Sequence, residues 1–162
     1  MNAFLQPALI GGLVLGVLSA LPLISGGNLC CCLWLVTGGV VAAYTLQQRQ
    51  SAPITPSDGA LAGLLAGIIG AFVYLVVSIP VALVLAPFER RVIERLVDLM
   101  PNAPTELRNY ASGPVALGVR TLVSFIVVLL LGAFFSTLGG LLGAVLFAKK
   151  PPPAAGDLPL AP

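Results

Sequence analysis

Three consecutive cysteines, Cys30, Cys31 and Cys32, are the side chains in this sequence most suited to redox or metal chemistry. Consecutive residues of a helix point about 100° apart, so the three thiols cannot converge on one ion. The chain has no histidine to complete a site. A metal or redox role would need cysteines from several subunits, and the expected role of the three is the packing of small, soft side chains. Neither a metal nor a cofactor is expected.

Acid and base groups are equally scarce. The chain holds eight basic and six acidic residues among 162, and none of them falls in residues 1 to 48, 59 to 88 or 121 to 148. An ionisable group inside an apolar span marks transport or proton relay. None is present here, which weighs against an ion-coupled transporter. Paired carboxylates within a span, a G-x-S-x-G elbow and a phosphate-binding glycine loop are all missing as well. The expected protein is non-enzymatic.

The same distribution names the environment. Soluble domains carry charge on about a quarter of their residues, whereas this chain carries it on 9% and has a mean hydropathy of +1.05. A spanning helix needs about 20 apolar residues for a hydrocarbon core of about 30 Å. The chain is therefore expected to be an all-α integral membrane protein, a four-helix bundle with a short amphipathic helix between spans 3 and 4.

Its boundaries come from turn and cap signals. Residues 1 to 48 would make a helix far longer than a bilayer is thick, and Pro22 with Ser25, Gly26, Gly27 and Asn28 supplies a turn. This gives spans at about 4–24 and 29–47, with Asn28 as the N-cap of the second. Thr55-Pro56-Ser57-Asp58 has the form of a capping box, so a third span starts near Pro56 and runs to about 86, with a kink at Pro80. Phe88, Val92, Ile93, Leu96, Val97, Leu99 and Met100 then recur at helical spacing among balanced charges, an amphipathic helix over about 88–100 suited to the membrane interface. The fourth span covers about 115–148, with Arg120 snorkelling to the headgroups. Residues 1–150 thus form one transmembrane domain, and 151–162 a flexible proline-rich tail.

Helices in lipid associate by close packing through small residues. Gly12 and Gly16, Gly59, Gly63 and Gly67, and Gly132, Ser136 and Gly140 each lie four apart, which stacks a smooth stripe on one helix face. These stripes either close a bundle within the chain or, for the Gly59, Gly63, Gly67 ridge, form a docking face for another copy or partner. Serines and threonines within the spans can bond back to their own helices, and Trp34, Tyr44 and Tyr74 suit packing or interfacial anchoring.

Asn28-x-Cys30-Cys31-Cys32-Leu33-Trp34, Gly38-Gly39, Ala43-Tyr44 and Asp58-Gly59-Ala60 with Gly63 and Gly67 together resemble small bacterial multi-pass membrane proteins grouped as a domain of unknown function. In these a cysteine-rich second helix precedes a D-G-A-x-x-G helix, and the last span ends in T-L-G-G-L-L-G with basic residues and prolines after it. Thr137 to Gly143, Lys149, Lys150 and Pro151 to Pro153 match that ending. The resemblance covers about residues 28 to 70 and 136 to 153. It implies the bacterial inner membrane and four spans, and no reaction.

Orientation draws on two opposed signals. Counting lysine and arginine alone puts the side with Arg90, Arg91, Arg95, Arg108 and Arg120 in the cytoplasm. Lys149 and Lys150 directly at a helix end, together with the resemblance, favour both termini cytoplasmic. The expected partners are the lipid bilayer and either further copies of the chain or a larger membrane complex, and not nucleic acid. The function expected is that of a homo-oligomer or accessory subunit of a membrane assembly. The alternative is a pore or carrier for a small neutral or lipidic molecule.

Overall fold

The computed structural model describes residues 2–21, 32–98 and 114–149. Among them lie four α-helices: α1, Asn2–Ala20; α2, Leu33–Arg49; α3, Pro56–Asp98; and α4, Pro114–Leu146. Three contain a stretch long and apolar enough to cross a membrane, Ala3–Ala20, Pro56–Phe88 and Thr121–Leu146. At 17 residues α2 measures about 26 Å, a little less than a hydrocarbon core.

Two boundaries differ from those expected. The second helix begins at Leu33 rather than near residue 29, and its N-cap is Cys32, with φ 49°, ψ 35° and no side-chain cap hydrogen bond. The left-handed conformation of a residue bearing a Cβ ends the preceding backbone path there, and the helical ladder opens with Val36 N–H donating to the Cys32 carbonyl at 3.0 Å. Asn28, the cap expected from the sequence, lies with Cys30 and Cys31 outside the described residues. The other difference concerns the third helix: its apolar span, Pro56–Phe88, ends close to the expected residue 86, but the helix itself does not stop there. α3 continues through Pro80 and Pro87 to Asp98, so the charged stretch from residue 88 is its extension and not a separate amphipathic helix. A proline inside a helix removes one donor and presses on the carbonyl four residues back, which bends the helix without ending it where both flanks form helix well. The remaining residues of that expected helix, 99 and 100, and the tail from 151 lie outside the described residues.

α1 packs on α2 and α3, α4 packs on α2 and α3, and α2 meets α3 across the middle; no contact joins α1 to α4 among the described residues. Gly11 lies against Gly38 and Ala42, Gly12 against Ala66 and Gly70, Gly39 against Ser136 and Gly140, and Gly67 against Gly132. These pairings make α1 antiparallel to α2 and α3 antiparallel to α4, with the start of α1, the end of α2, the start of α3 and the end of α4 at one end of the molecule.

The core is built of small side chains: Ala42, Ala43, Ala62, Ala66 and Ala144 with Leu46 and Ile54, and Phe4 packed against them. Large apolar residues point outward instead, among them Val76, Leu83, Val84 and Phe88 on α3 and Leu122, Val123 and Leu130 on α4. This inversion suits a solvent of lipid chains, in which exposing leucine costs nothing and helix approach rests on packing.

Candidate functional site

Adjacent glycines organise the interior. Neighbouring positions on a helix point about 100° apart, and each glycine doublet among the described residues serves two partners. A Cβ at Gly11 would stand 2.9 Å from the Ala42 Cβ on α2, whereas one at Gly12 would stand 2.8 Å from Ile69 on α3. Gly38 faces Leu15 on α1, at 2.7 Å, and Gly39 faces α4. Gly139 faces Val36 on α2, and Gly140 faces Gly59 and Gly63 on α3.

The tightest point is the backbone of Ser136. A Cβ on Gly39 of α2 or on Gly63 of α3 would overlap the Ser136 carbonyl oxygen, so three helices converge on one peptide group. Ser136 is itself fully buried, and its Oγ has no hydrogen-bond partner among the described residues. The hydroxyls of Thr37, Thr45, Ser78 and Thr137, by contrast, donate to carbonyls three or four residues back on their own helices. Back-bonding of this kind satisfies a hydroxyl in an apolar medium without a second helix.

Below this junction, at the end where α2 and α4 stop, the short connection between α2 and α3 is tied down by polar contacts. Gln47 is 2% exposed, and its side-chain oxygen accepts from Ile54 N–H at 2.9 Å while its amide nitrogen donates to the Ala52 carbonyl at 3.1 Å. Arg49 donates to the Gln6 side chain on α1, and Lys149 Nζ donates to the Gln50 carbonyl at 2.8 Å. Thr55 and Asp58 exchange hydrogen bonds at the head of α3: Thr55 N–H donates to the Asp58 carboxylate at 3.1 Å, and Asp58 N–H to Thr55 Oγ1 at 3.2 Å.

These contacts locate the residues singled out from the sequence. Gly59, Gly63 and Gly67 lie along α4 opposite Gly140, Ser136 and Gly132, and Gly12 and Gly16 form a separate seam against Gly70 and Val73 of α3. Gly132 is the roomiest of the set, since a Cβ there would meet Gly67 O at an ordinary 3.4 Å. Of the three cysteines, Cys32 is described, half-buried and with a free thiol. No group of three metal-ligating side chains occurs among the described residues.

The sequence that forms these spans has a counterpart among known families. The model of the MJ1491 transmembrane domain matches residues 5–149. The chain belongs to that family. The match takes in all four helices except the extreme start of α1, and with the three apolar spans it establishes a membrane protein embedded in a lipid bilayer. Among curated proteins and among solved structures, nothing matches the chain.

The stripes named from the sequence leave out Gly11, Gly38, Gly70, Gly139 and Gly143, whose added Cβ atoms would all crowd a neighbouring helix. The signal that could find most of them is the doublet itself: Gly11-Gly12, Gly38-Gly39 and Gly139-Gly140 each mark a helix with two close neighbours. Gln47 has the look of the edge of a polar loop, although Leu46 beside it belongs to the core.

Proposed function

We propose that this family member is a non-enzymatic four-span bundle that serves as a structural subunit of a membrane assembly, as a small homo-oligomer or beside other proteins. The observation that carries this reading is the division of its surfaces. The small-residue stripes, including the Gly59, Gly63, Gly67 ridge, face other helices of the same chain. Among the described residues, the outer faces of α3 and α4 remain apolar and uncovered from Val76 to Phe88 and from Leu122 to Leu131. Association with another protein would therefore use these outer faces and not the glycine ridge.

A closely packed interior in which, among the described residues, a hydroxyl is the one buried side-chain group without a partner suits a scaffold better than a carrier. The small-residue stripes serve here as a glycine-zipper packing device, and the cysteines as packing groups. The end bearing Arg49 and Lys149 faces the cytoplasm of the bacterial inner membrane, in keeping with lysines at a helix end.

Solubilisation in mild detergent and then native mass spectrometry test the assembly role. A defined oligomer, or a stoichiometric partner protein, is the expected result; a monomer at every protein concentration would end this reading. Thiol-reactive labelling of intact cells carrying Ser51→Cys, with the three natural cysteines replaced by alanine, tests orientation. Labelling by a membrane-impermeant reagent added outside would reverse it.

A further inference from the structure

We infer that the lipid-facing seam between α2 and α4, at the end where both helices stop, binds an anionic phospholipid by its headgroup phosphate and one acyl chain. Among the described residues this end carries three charged groups, Arg49, Asp58 and Lys149. Asp58 is engaged with Thr55, whose hydroxyl donates to it at 2.6 Å and whose amide donates to it as well. Arg49 and Lys149 are held by neutral oxygens, those of Gln6 and Gln50, so both keep their charge uncompensated on the same end of α2.

Lys149 spends one of its three ammonium protons on the Gln50 carbonyl, at the negative end of the α2 dipole, and two remain for an outside acceptor. Less than a turn below it, Phe147 stacks edge to face on Tyr44 of α2, with ring centroids 5.0 Å apart. Both rings are large, apolar and more than two-fifths exposed, so they form a shelf on the lipid-facing side of the seam. Gln48 lies four residues beyond Tyr44 on the same face of α2 and is exposed. Cation above, aromatic shelf below and an amide donor beside them fit a phosphodiester with its chain lying along the seam. A free phosphate would use the cation alone.

The full chain in mild detergent, with phosphatidylglycerol or phosphatidylcholine added, provides the test by native mass spectrometry. Wild type should retain phosphatidylglycerol in preference. Lys149→Gln should lower that retention about fivefold, the effect of about 1 kcal/mol for one interfacial cation. Tyr44→Ala with Phe147→Ala leaves the Lys149 hydrogen bond in place and should lower retention of both lipids, which gives a second route should Lys149→Gln fail to fold. Arg91→Gln with Arg95→Gln, at the other end of the molecule, should change nothing, and glycerol phosphate should not compete. Undiminished preference in Lys149→Gln, undiminished retention in the aromatic double variant, loss of preference in the Arg91, Arg95 variant, or competition by glycerol phosphate would each overturn the assignment.

Discussion

A single methyl group added at Gly39 should weaken the whole molecule, because of what stands opposite it. The new Cβ would overlap the Ser136 carbonyl oxygen and lie 2.8 Å from both the Ser136 carbonyl carbon and the Gly140 nitrogen. Ordinary contact begins at 3.4 Å, so clearing the carbonyl oxygen requires α4 to retreat from α2 by more than about 1 Å. All three obstacles are backbone atoms, and no rotamer change relieves them. Overpacking of a close-packed interior costs about 1–3 kcal/mol, and Gly39→Ala should fall in or above that range. Gly63→Ala, which meets the same carbonyl from α3, should cost a similar amount. Because one retreat of α4 partly relieves both clashes, the double variant should lose less than the two single losses added together. Gly118→Ala is the control, since nothing lies within 4 Å of its Cβ; alanine there should be neutral or stabilising by up to about 1 kcal/mol. Trp34 is the chain's one tryptophan, and its fluorescence during thermal unfolding in mild detergent supplies the readout. Equal midpoints for Gly39→Ala, Gly63→Ala and Gly118→Ala would refute the idea that backbone approach at Ser136 holds the helices together.

Three further outcomes are expected from the same contacts. Ser136→Ala removes a buried hydroxyl that has no partner, so its midpoint should be unchanged or raised, by up to about 1–3 kcal/mol of recovered desolvation; a clear loss would show that the hydroxyl is bonded after all. Gln47→Leu orphans the buried Ile54 N–H and frees the more exposed Ala52 carbonyl, and should cost about 1–3 kcal/mol, chiefly for the amide. Proteolysis between residues 50 and 55 should accelerate in that variant, and unchanged cleavage would argue against the clamp. Asp58→Ala removes one half of the exchange with Thr55 and should lower stability by about 0.5–2 kcal/mol, read as an earlier midpoint in the same unfolding assay.

The legibility of the fold in the sequence differs from element to element. Thr55, Pro56 and Asp58 mark the start of α3 to the residue, because a cap is a local arrangement of side chain and amide. The end of α3 is not legible in the same way: Pro87 has the form of a stop, yet whether a proline bends or ends a helix depends on how well the residues beyond it continue the helix. The start of α2 lies later than its turn residues suggest because Cys32 adopts a left-handed turn that its side chain does not advertise. At the junction, Ser136 and the glycines are visible as types and spacings, whereas a doublet's two directions become evident only once both neighbouring helices are in place. Gln47 is hidden by its polarity, since a glutamine beside a loop looks exposed until the loop folds back and takes both ends of its amide.

The solvent and the mode of association were determined by the sequence alone. Charge-free runs of this length can be housed only in lipid, and helices in lipid need small residues at their contacts, so the helices and the kind of seam are set by composition and period. Only the tertiary structure decided which stripe meets which. All the stripes are chemically alike, and a glycine carries no charge or shape to name its partner. The choice rests on the summed fit of backbones: Gly59, Gly63 and Gly67 along Gly140, Ser136 and Gly132, and Gly12 and Gly16 along Gly70. That pairing turns the ridges inward and leaves the large apolar residues, with the cations at the helix ends, as the surface the protein presents to its surroundings.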